Sequence, residues 1–397
     1  MKSLKYLLLI AKVGGEMRVA VVGVGYSGFN ANTPDLSWKE IMYEAASRAY
    51  VDAGINPRKD VDSFVTCAED IYEGFAIFDE FVPDQLGAVV KPTCTISADF
   101  LYGVATAYMQ IKSGLADIAV VEAHSKASDI QTFGEVIKFA MDPIWLRRIG
   151  TAHPYYIAAL EMSYYMQKCC VTEEQIAQVV VKNKNNAMLN PSAPYGEKIK
   201  LEDVMSSPKL FDPMKKLEIA QRSDGCVVFV LASEEIAREI TDSPIWVKGV
   251  GWWSETSNYD TMSFMGMYAH KAAKMAYKLA GITNPAREVH FAEVDDRFAF
   301  KELQHIEALQ LAKRFETATL LEEGYFDRNG ALPVNVSGGN LGIGNLLECT
   351  GGQKALEVVL QLRGEAGKRQ LKDVEIGVAQ AWRYLPTASG AVAVVGI

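Results

Sequence analysis

Apolar and polar positions along this 397-residue chain switch between a strand-like and a helix-like period, and the same succession occurs twice. Residues 19–25 form an apolar, glycine-containing run of strand character. Residues 45–53 follow with helical spacing stopped by Gly54, and 61–65 read as the next strand. About 227 residues later the order returns. An apolar run at 245–251 precedes a helical segment at 272–280, stopped by Gly281, and a strand at 289–294 with one residue inserted. A second pair of echoes comes later in each half. A helix from 101 ends at Gly114 and runs into a strand at 117–121; a helix from 353 ends at Gly364 and runs into 374–379. A solenoid unit repeats every 20 to 50 residues, so this longer repeat is a duplicated α/β domain. Two such halves pack face to face and bring equivalent loops to one crevice, where function is to be sought. Strands 118–121 and 227–231 are continuously apolar, as in a sheet covered on both faces.

The halves divide at the turn Thr241-Asp242-Ser243-Pro244, giving 17–240 and 241–397. The first is longer because of a stretch at about 125–222, rich in Tyr, Met, Asn and Pro, which reads as a loop domain over the crevice. It holds a helix at 155–168 and a second one opened by Thr172-Glu173-Glu174-Gln175, a capping pattern. Residues 1–16 are expected to be an N-terminal extension. Their apolar run, Leu7-Leu8-Leu9-Ile10-Ala11, falls far short of the roughly 20 residues of a membrane span, and no small-residue cleavage site follows.

Composition narrows the classes. Hydrophobic residues make up 49% and charged residues 22%, as in an ordinary globular protein, and the net charge of −9 argues against a nucleic-acid surface. The six cysteines lack metal-ligand spacing, and the adjacent Cys169-Cys170 makes a poor disulfide framework. No metal site and a reducing, cytoplasmic setting with free thiols are therefore expected. Gly23, Gly25 and Gly28 lack the third glycine and the acidic residue of a dinucleotide fingerprint.

Several segments in order resemble the thiolase superfamily, most of all its sterol-carrier-protein-type members, over nearly the whole chain from Met17. They are Thr172-Glu173-Glu174-Gln175-Ile176-Ala177, Asn190-Pro191, Asp212-Pro213-Met214, Ser223-Asp224-Gly225-Cys226, Val336-Ser337-Gly338-Gly339-Asn340 and Gln361-Leu362-Arg363-Gly364. The resemblance implies a five-layer αβαβα fold and a loop domain that holds coenzyme A or an acyl-CoA as substrate, with no tightly bound cofactor. It also implies a homodimer or homotetramer with a place in lipid metabolism.

Thiolase chemistry needs a thiolate, a base to activate it, a second acid/base and oxyanion donors. Cys94, in Pro92-Thr93-Cys94-Thr95, is the nucleophile candidate because a helix start nearby favours a thiolate. Counting back from Gly114 as the family spaces its cysteine lands instead on Ser97. Asn345 stands where the family carries the activating histidine; an amide donates to an oxyanion but is no base. Asp295-Asp296-Arg297-Phe298 stands where sterol-carrier-type members read His-Asp-Cys-Phe, so Asp295 is a candidate base of raised pKa, or else part of a solvated acidic turn. His153, in Ala152-His153-Pro154, is a candidate for contact with the thioester or pantetheine arm, against a cap at a helix start. Cys349 is a candidate thiol, against a small core residue. Ser337, Gly338, Gly339 and Asn340 are expected to wrap the pantetheine arm, since glycine permits close backbone approach.

These altered motifs support two functions. One is an acyl-CoA acyltransferase that works through a cysteine thioester without being an ordinary β-ketothiolase. The other is a non-catalytic subunit that binds acyl-CoA or scaffolds a multi-subunit acyltransferase. Either accommodates a small zinc-ribbon/OB-fold partner and a sister thiolase-like subunit, as some relatives with altered triads have.

Overall fold

A computed structural model describes residues 17–397 apart from 145–147, 149, 151 and 257–264; the extension expected at 1–16 lies outside the described residues. Eleven strands are described: β1 (Val19–Asn30), β2 (Ser63–Cys67), β3 (Thr93–Ile96), β4 (Ile118–Lys126), β5 (Lys209–Phe211), β6 (Met214–Lys215), β7 (Asp224–Ser233), β8 (Ile245–Ser254), β9 (Phe291–Glu293), β10 (Ile376–Trp382) and β11 (Ser389–Gly396). β5 and β6 pair only with each other, and the other nine follow the order β3-β2-β4-β7-β1-β8-β11-β10-β9. The first five belong to one half and the last four to the other. A short antiparallel contact, Ala20 with Trp246 and Val21 with Ile245, joins the two half-sheets.

Layering follows from which side chains share a core. Helices α1 (Trp38–Ala53), α2 (Asp70–Glu73), α3 (Phe100–Lys112), α4 (Phe133–Phe139), α5 (Tyr155–Cys169), α6 (Glu173–Ala187), α7 (Met267–Ala280), α8 (Ala299–Ala308) and α9 (Thr350–Arg363) matter here. Val19, Val21, Ala119 and Val121 of the first half-sheet share a core with Ala379, Ala381, Ala391 and Ala393 of the second, and with α3 and α9 between them. The opposite face, through Ala20, Val22, Ile118 and Val120, packs on α1. Val378, Val392 and Val394 pack outward on α7 and α8, in a core that also takes in α5 and α6 of the loop region. The succession is α1, sheet, α3 with α9, sheet, α7 with α8: five layers. Strand side chains point alternately to the two faces, so both faces of each half-sheet are apolar.

The repeated strand glycines have a packing role. A Cβ on Gly25 would stand 2.0 Å from the Ala45 carbonyl of α1, and one on Gly251 would stand 2.1 Å from the Ala272 carbonyl of α7. Each half thus seats its outer helix directly on strand backbone. Both helices end at a left-handed glycine, Gly54 at φ 65° and Gly281 at φ 72°, as their sequence stops require.

Candidate active site

β2 runs parallel to β3, and β9 to β10, so each pair releases its loops at the carboxyl ends of its strands. In open α/β sheets such ends are where crevices form. The loops meet through side chains. Glu69, just past β2, accepts from Ser97 Oγ at 3.2 Å and is ion-paired with Arg383 Nε of the β10–β11 loop. The Glu69 amide donates to Glu348 Oε1 at 2.6 Å, in the segment before α9. Asp99 caps α3 by accepting from the Leu101 amide at 3.0 Å, and it accepts from the Gly351 amide of α9 at 2.8 Å. One carboxylate therefore closes the amino ends of both central helices.

The acids of this crevice are tuned apart by their surroundings. Asp99 is buried, and burial outweighs its two amide bonds to push its carboxyl up to about 7. Burial, with Glu73 and Glu69 beside it, pushes Glu348 well above the usual carboxylate range; its Oε2 is buried without a partner. Burial acts on Asp295 in the same sense, but the Arg297 guanidinium prevails and holds that carboxyl low. Arg297 Nη2 lies 2.7 Å from Asp295 Oδ2 and also donates to the Trp382 carbonyl. Two neutral phenols border the loops: Tyr384 Oη donates to Tyr155 Oη at 3.1 Å, and Arg297 stacks 4.4 Å above the Tyr384 ring.

The expected residues fall in different places. Asp295 is no raised-pKa base and no solvated turn; it is a buried ion-pair partner. Cys94 lies within edge strand β3, opposite Val65, and α3 begins only at Phe100 with Asp99 as its cap. The helix end expected to favour a thiolate is thus taken by a carboxylate, and burial together with Asp79 pushes the Cys94 thiol up. Ser97 is exposed at the mouth of the crevice, on Glu69. Cys349 is fully buried in the middle core, where burial and Glu122 hold it as a thiol. His153 accepts from the Tyr155 amide at 3.2 Å and packs on Phe211, so it caps the start of α5; burial and Lys138 push it towards the neutral form. The side chains of Cys94, Cys349 and His153 make no hydrogen bond to Glu69 or Asp99.

The Ser337–Asn340 stretch is tied to protein rather than laid along a channel. Ser337 donates to Glu293 Oε2 at 2.6 Å, and the Asn340 amide donates to Asp296 Oδ1 at 2.5 Å. The close approaches at Gly338 and Gly339 are to Ala187 of α6 and to the Asp296 carboxylate. All four residues are buried. Asn345 is buried as well. Its Oδ1 accepts from the Leu347 amide at 3.1 Å, while its Nδ2 is buried with no acceptor. Its backbone bridges to Arg222, which borders a cavity of about 450 Å³ with Ser128, Tyr155, Tyr195 and Lys216.

Sequence reading passed over Glu69, Glu348, Arg383, Tyr384 and Asp99. Asp99 carried a signal, an Asp ahead of an apolar helical run, which is a cap pattern. Glu348 carried a weaker one, a charge inside Leu346-Leu347-Glu348-Cys349. Glu69 and Arg383 acquire meaning only through each other, 314 residues apart. Among the described residues no group of three or more His, Cys, Asp or Glu is arranged to hold a metal ion, and no helix is long and apolar enough to cross a membrane.

Known proteins share both sequence and architecture with this one. Residues 251–395 match the family model described as "Thiolase C-terminal domain-like". An acetyl-CoA acetyltransferase of Methanothermobacter thermautotrophicus is 32% identical over 91% of this chain and 94% of that protein. Sterol carrier protein 2 of Bos taurus is 27% identical over 91% of this chain and 69% of that protein. A 17-hydroxy-3-oxo-4-pregnene-20-carboxyl-CoA lyase of Mycobacterium tuberculosis is 26% identical over 87% and 92%. The solved Ltp2-ChsH2(DUF35) aldolase superposes with a TM-score of 0.81 at 25% identity, over 96% of this chain and 97% of that one. The duplicated five-layer architecture is the thiolase fold, and the chain belongs to the thiolase superfamily, with affinity to its sterol-carrier-protein-type members.

Proposed function

We propose that this chain acts on a coenzyme A thioester, making or breaking the carbon–carbon bond next to the thioester carbonyl by proton transfer, with no acyl-cysteine intermediate. One observation supports the reading: the loops at these strand ends carry an Asp99 carboxyl pushed up to about 7, a Glu348 carboxyl pushed up by burial and the Asn345 amide donor with no acceptor, while the thiols of Cys94 and Cys349 and the His153 imidazole bond to none of them. A group that exchanges protons best has a pKa near the working pH, which suits Asp99, and the upward push that burial gives Glu348 suits it to the part of an acid. Asn345 Nδ2 suits an enolate or thioester oxygen. The cavity bordered by Arg222, Tyr155 and Lys216 offers the pantetheine arm a way in towards Asn345, and its two cations suit phosphate. Relatives named as a lyase and an aldolase, beside one named as an acetyltransferase, agree with chemistry at that carbon.

The test incubates the full chain with acetyl- and propionyl-CoA in deuterated water and follows exchange of the α-hydrogens by mass spectrometry. Exchange is expected. Glu348→Gln is expected to slow it by about 10²-fold with CoA affinity retained. An acyl mass on the Cys94 peptide, abolished in Cys94→Ala, would overturn this reading in favour of cysteine-mediated acyl transfer. CoA binding with neither exchange nor adduct would make the chain a scaffolding subunit. A partner belongs to the same proposal, since the solved aldolase relative carries a DUF35 component in its name; co-expression with such a protein and co-purification test it.

A further inference from the structure

A second cavity lies against the same crevice, bordered by the Arg383–Ala388 loop through Arg383, Thr387 and neighbouring residues. We infer that it seats the other carbon fragment of the reaction, and that this fragment is a small, uncharged, polar aldehyde or ketone. The inference rests on the function proposed above and names its second reactant. The cavity measures about 220 Å³ and is lined by Met141, Ser254, Glu255, Arg383, Thr387 and Ser389, among others. Sites for drug-sized ligands span about 300–1,000 Å³, so a polycyclic ketone or a long acyl chain is too large.

Position and charge narrow the class further. Tyr102, in the first turn of α3, stands beside Ser254, Ser389 and Arg383, and burial keeps its phenol protonated, up to about 12. The cavity therefore abuts the helix start that Asp99 caps. Arg383 lines it while its Nε is engaged by Glu69, so the guanidinium charge is already matched. Glu255 and Asp142 also border the space. An added carboxylate would meet the Asp142 carboxylate and an arginine already matched by Glu69, which disfavours it. The hydroxyls of Ser254 and Ser389 suit a carbonyl or hydroxyl group instead.

In the condensing direction the step balances without a co-reactant. The thioester loses its α-proton to a crevice carboxylate, the α-carbon bonds to the carbonyl carbon, and the carbonyl oxygen takes a proton to become a hydroxyl. The reverse breaks the same bond and releases the aldehyde or ketone.

The experiment mixes the full chain and acetyl-CoA with acetaldehyde, glycolaldehyde, acetone, pyruvate, glyoxylate or a steroid 17-ketone, and reads new CoA adducts by mass spectrometry beside α-hydrogen exchange. Adducts are expected with the first three, at least tenfold more slowly with the two oxo acids, and not with the steroid. Thr256→Trp at the exposed rim, and Ala388→Leu within, are expected to raise KM for acetaldehyde at least tenfold while KM for acetyl-CoA stays within twofold. Exchange without any adduct, a preference for the oxo acids or the steroid, or unchanged KM in a folded Thr256→Trp would overturn the inference and leave the proposed function standing. Absence of exchange itself would overturn both.

Discussion

Asp99 and Asp295 are both buried, yet they titrate in opposite directions, because Arg297 touches one and not the other. The folded state holds the Asp99 carboxyl at about 7 against an ordinary 3.8. Between those values the folded chain binds more protons at this site than the unfolded chain does, so the site's contribution to stability falls as pH rises through that window and is level above it. Asp99→Asn removes the ionisation and keeps one of the two acceptors, for either the Leu101 or the Gly351 amide. Urea midpoints followed from about pH 4.5 to about 7.5 should decline in the wild type relative to this variant; parallel curves would contradict the assignment. For Asp295 the dependence runs the other way, its stabilisation being lost as acid protonates it. Arg297→Met leaves that carboxylate buried and alone, and denaturant titration should show a loss of about 3–5 kcal/mol. At this scale the sequence was partly legible. Asn345 could be recognised as a donor from its type alone. Asp295 could not be assigned, because whether Asp295-Asp296 is solvated or locked depends on an arginine two residues on turning inward.

Elements were easier to foresee than the loops between them. Both outer helices, their glycine stops and the doubly covered strands follow from apolar period and cap chemistry, which act over a few residues. The strand glycines were visible as a repeat, but their purpose lay in a helix some 20 residues away. That purpose makes a prediction. Gly25→Ala drives a methyl group into the Ala45 carbonyl and should cost about 1–3 kcal/mol as overpacking. Gly54→Ala meets open space and carries only the strain of a left-handed residue, about 1 kcal/mol. Thermal unfolding of the two variants should rank them in that order. The misplacement of Cys94 is an error of element boundary: Asp99 caps the helix, so the five residues before it are strand and turn, and the thiol stays on the sheet edge.

Across the whole molecule, the sheet ends at β3 with no further strand beyond it among the described residues, and the residues leading into β3 carry apolar side chains into solvent. Val90 is 98% exposed, and Ile77, Phe81 and Val89 are exposed nearby. An open edge with such a patch invites pairing with another chain. Light scattering should give a mass about twice 43.6 kDa, and Val89→Lys with Val90→Lys should halve it; a monomer before substitution would refute the pairing. No reading of the sequence could locate this edge, since strand order is set by contacts hundreds of residues apart. The same long reach governs Asp99. A helix amino end carries roughly half a positive charge, and here two such ends converge on one point. In most proteins a focus of that kind awaits a visiting anion. This one is already occupied by a resident carboxyl whose proton affinity stands near neutrality, so the joint field of both domains is committed to setting one proton's affinity.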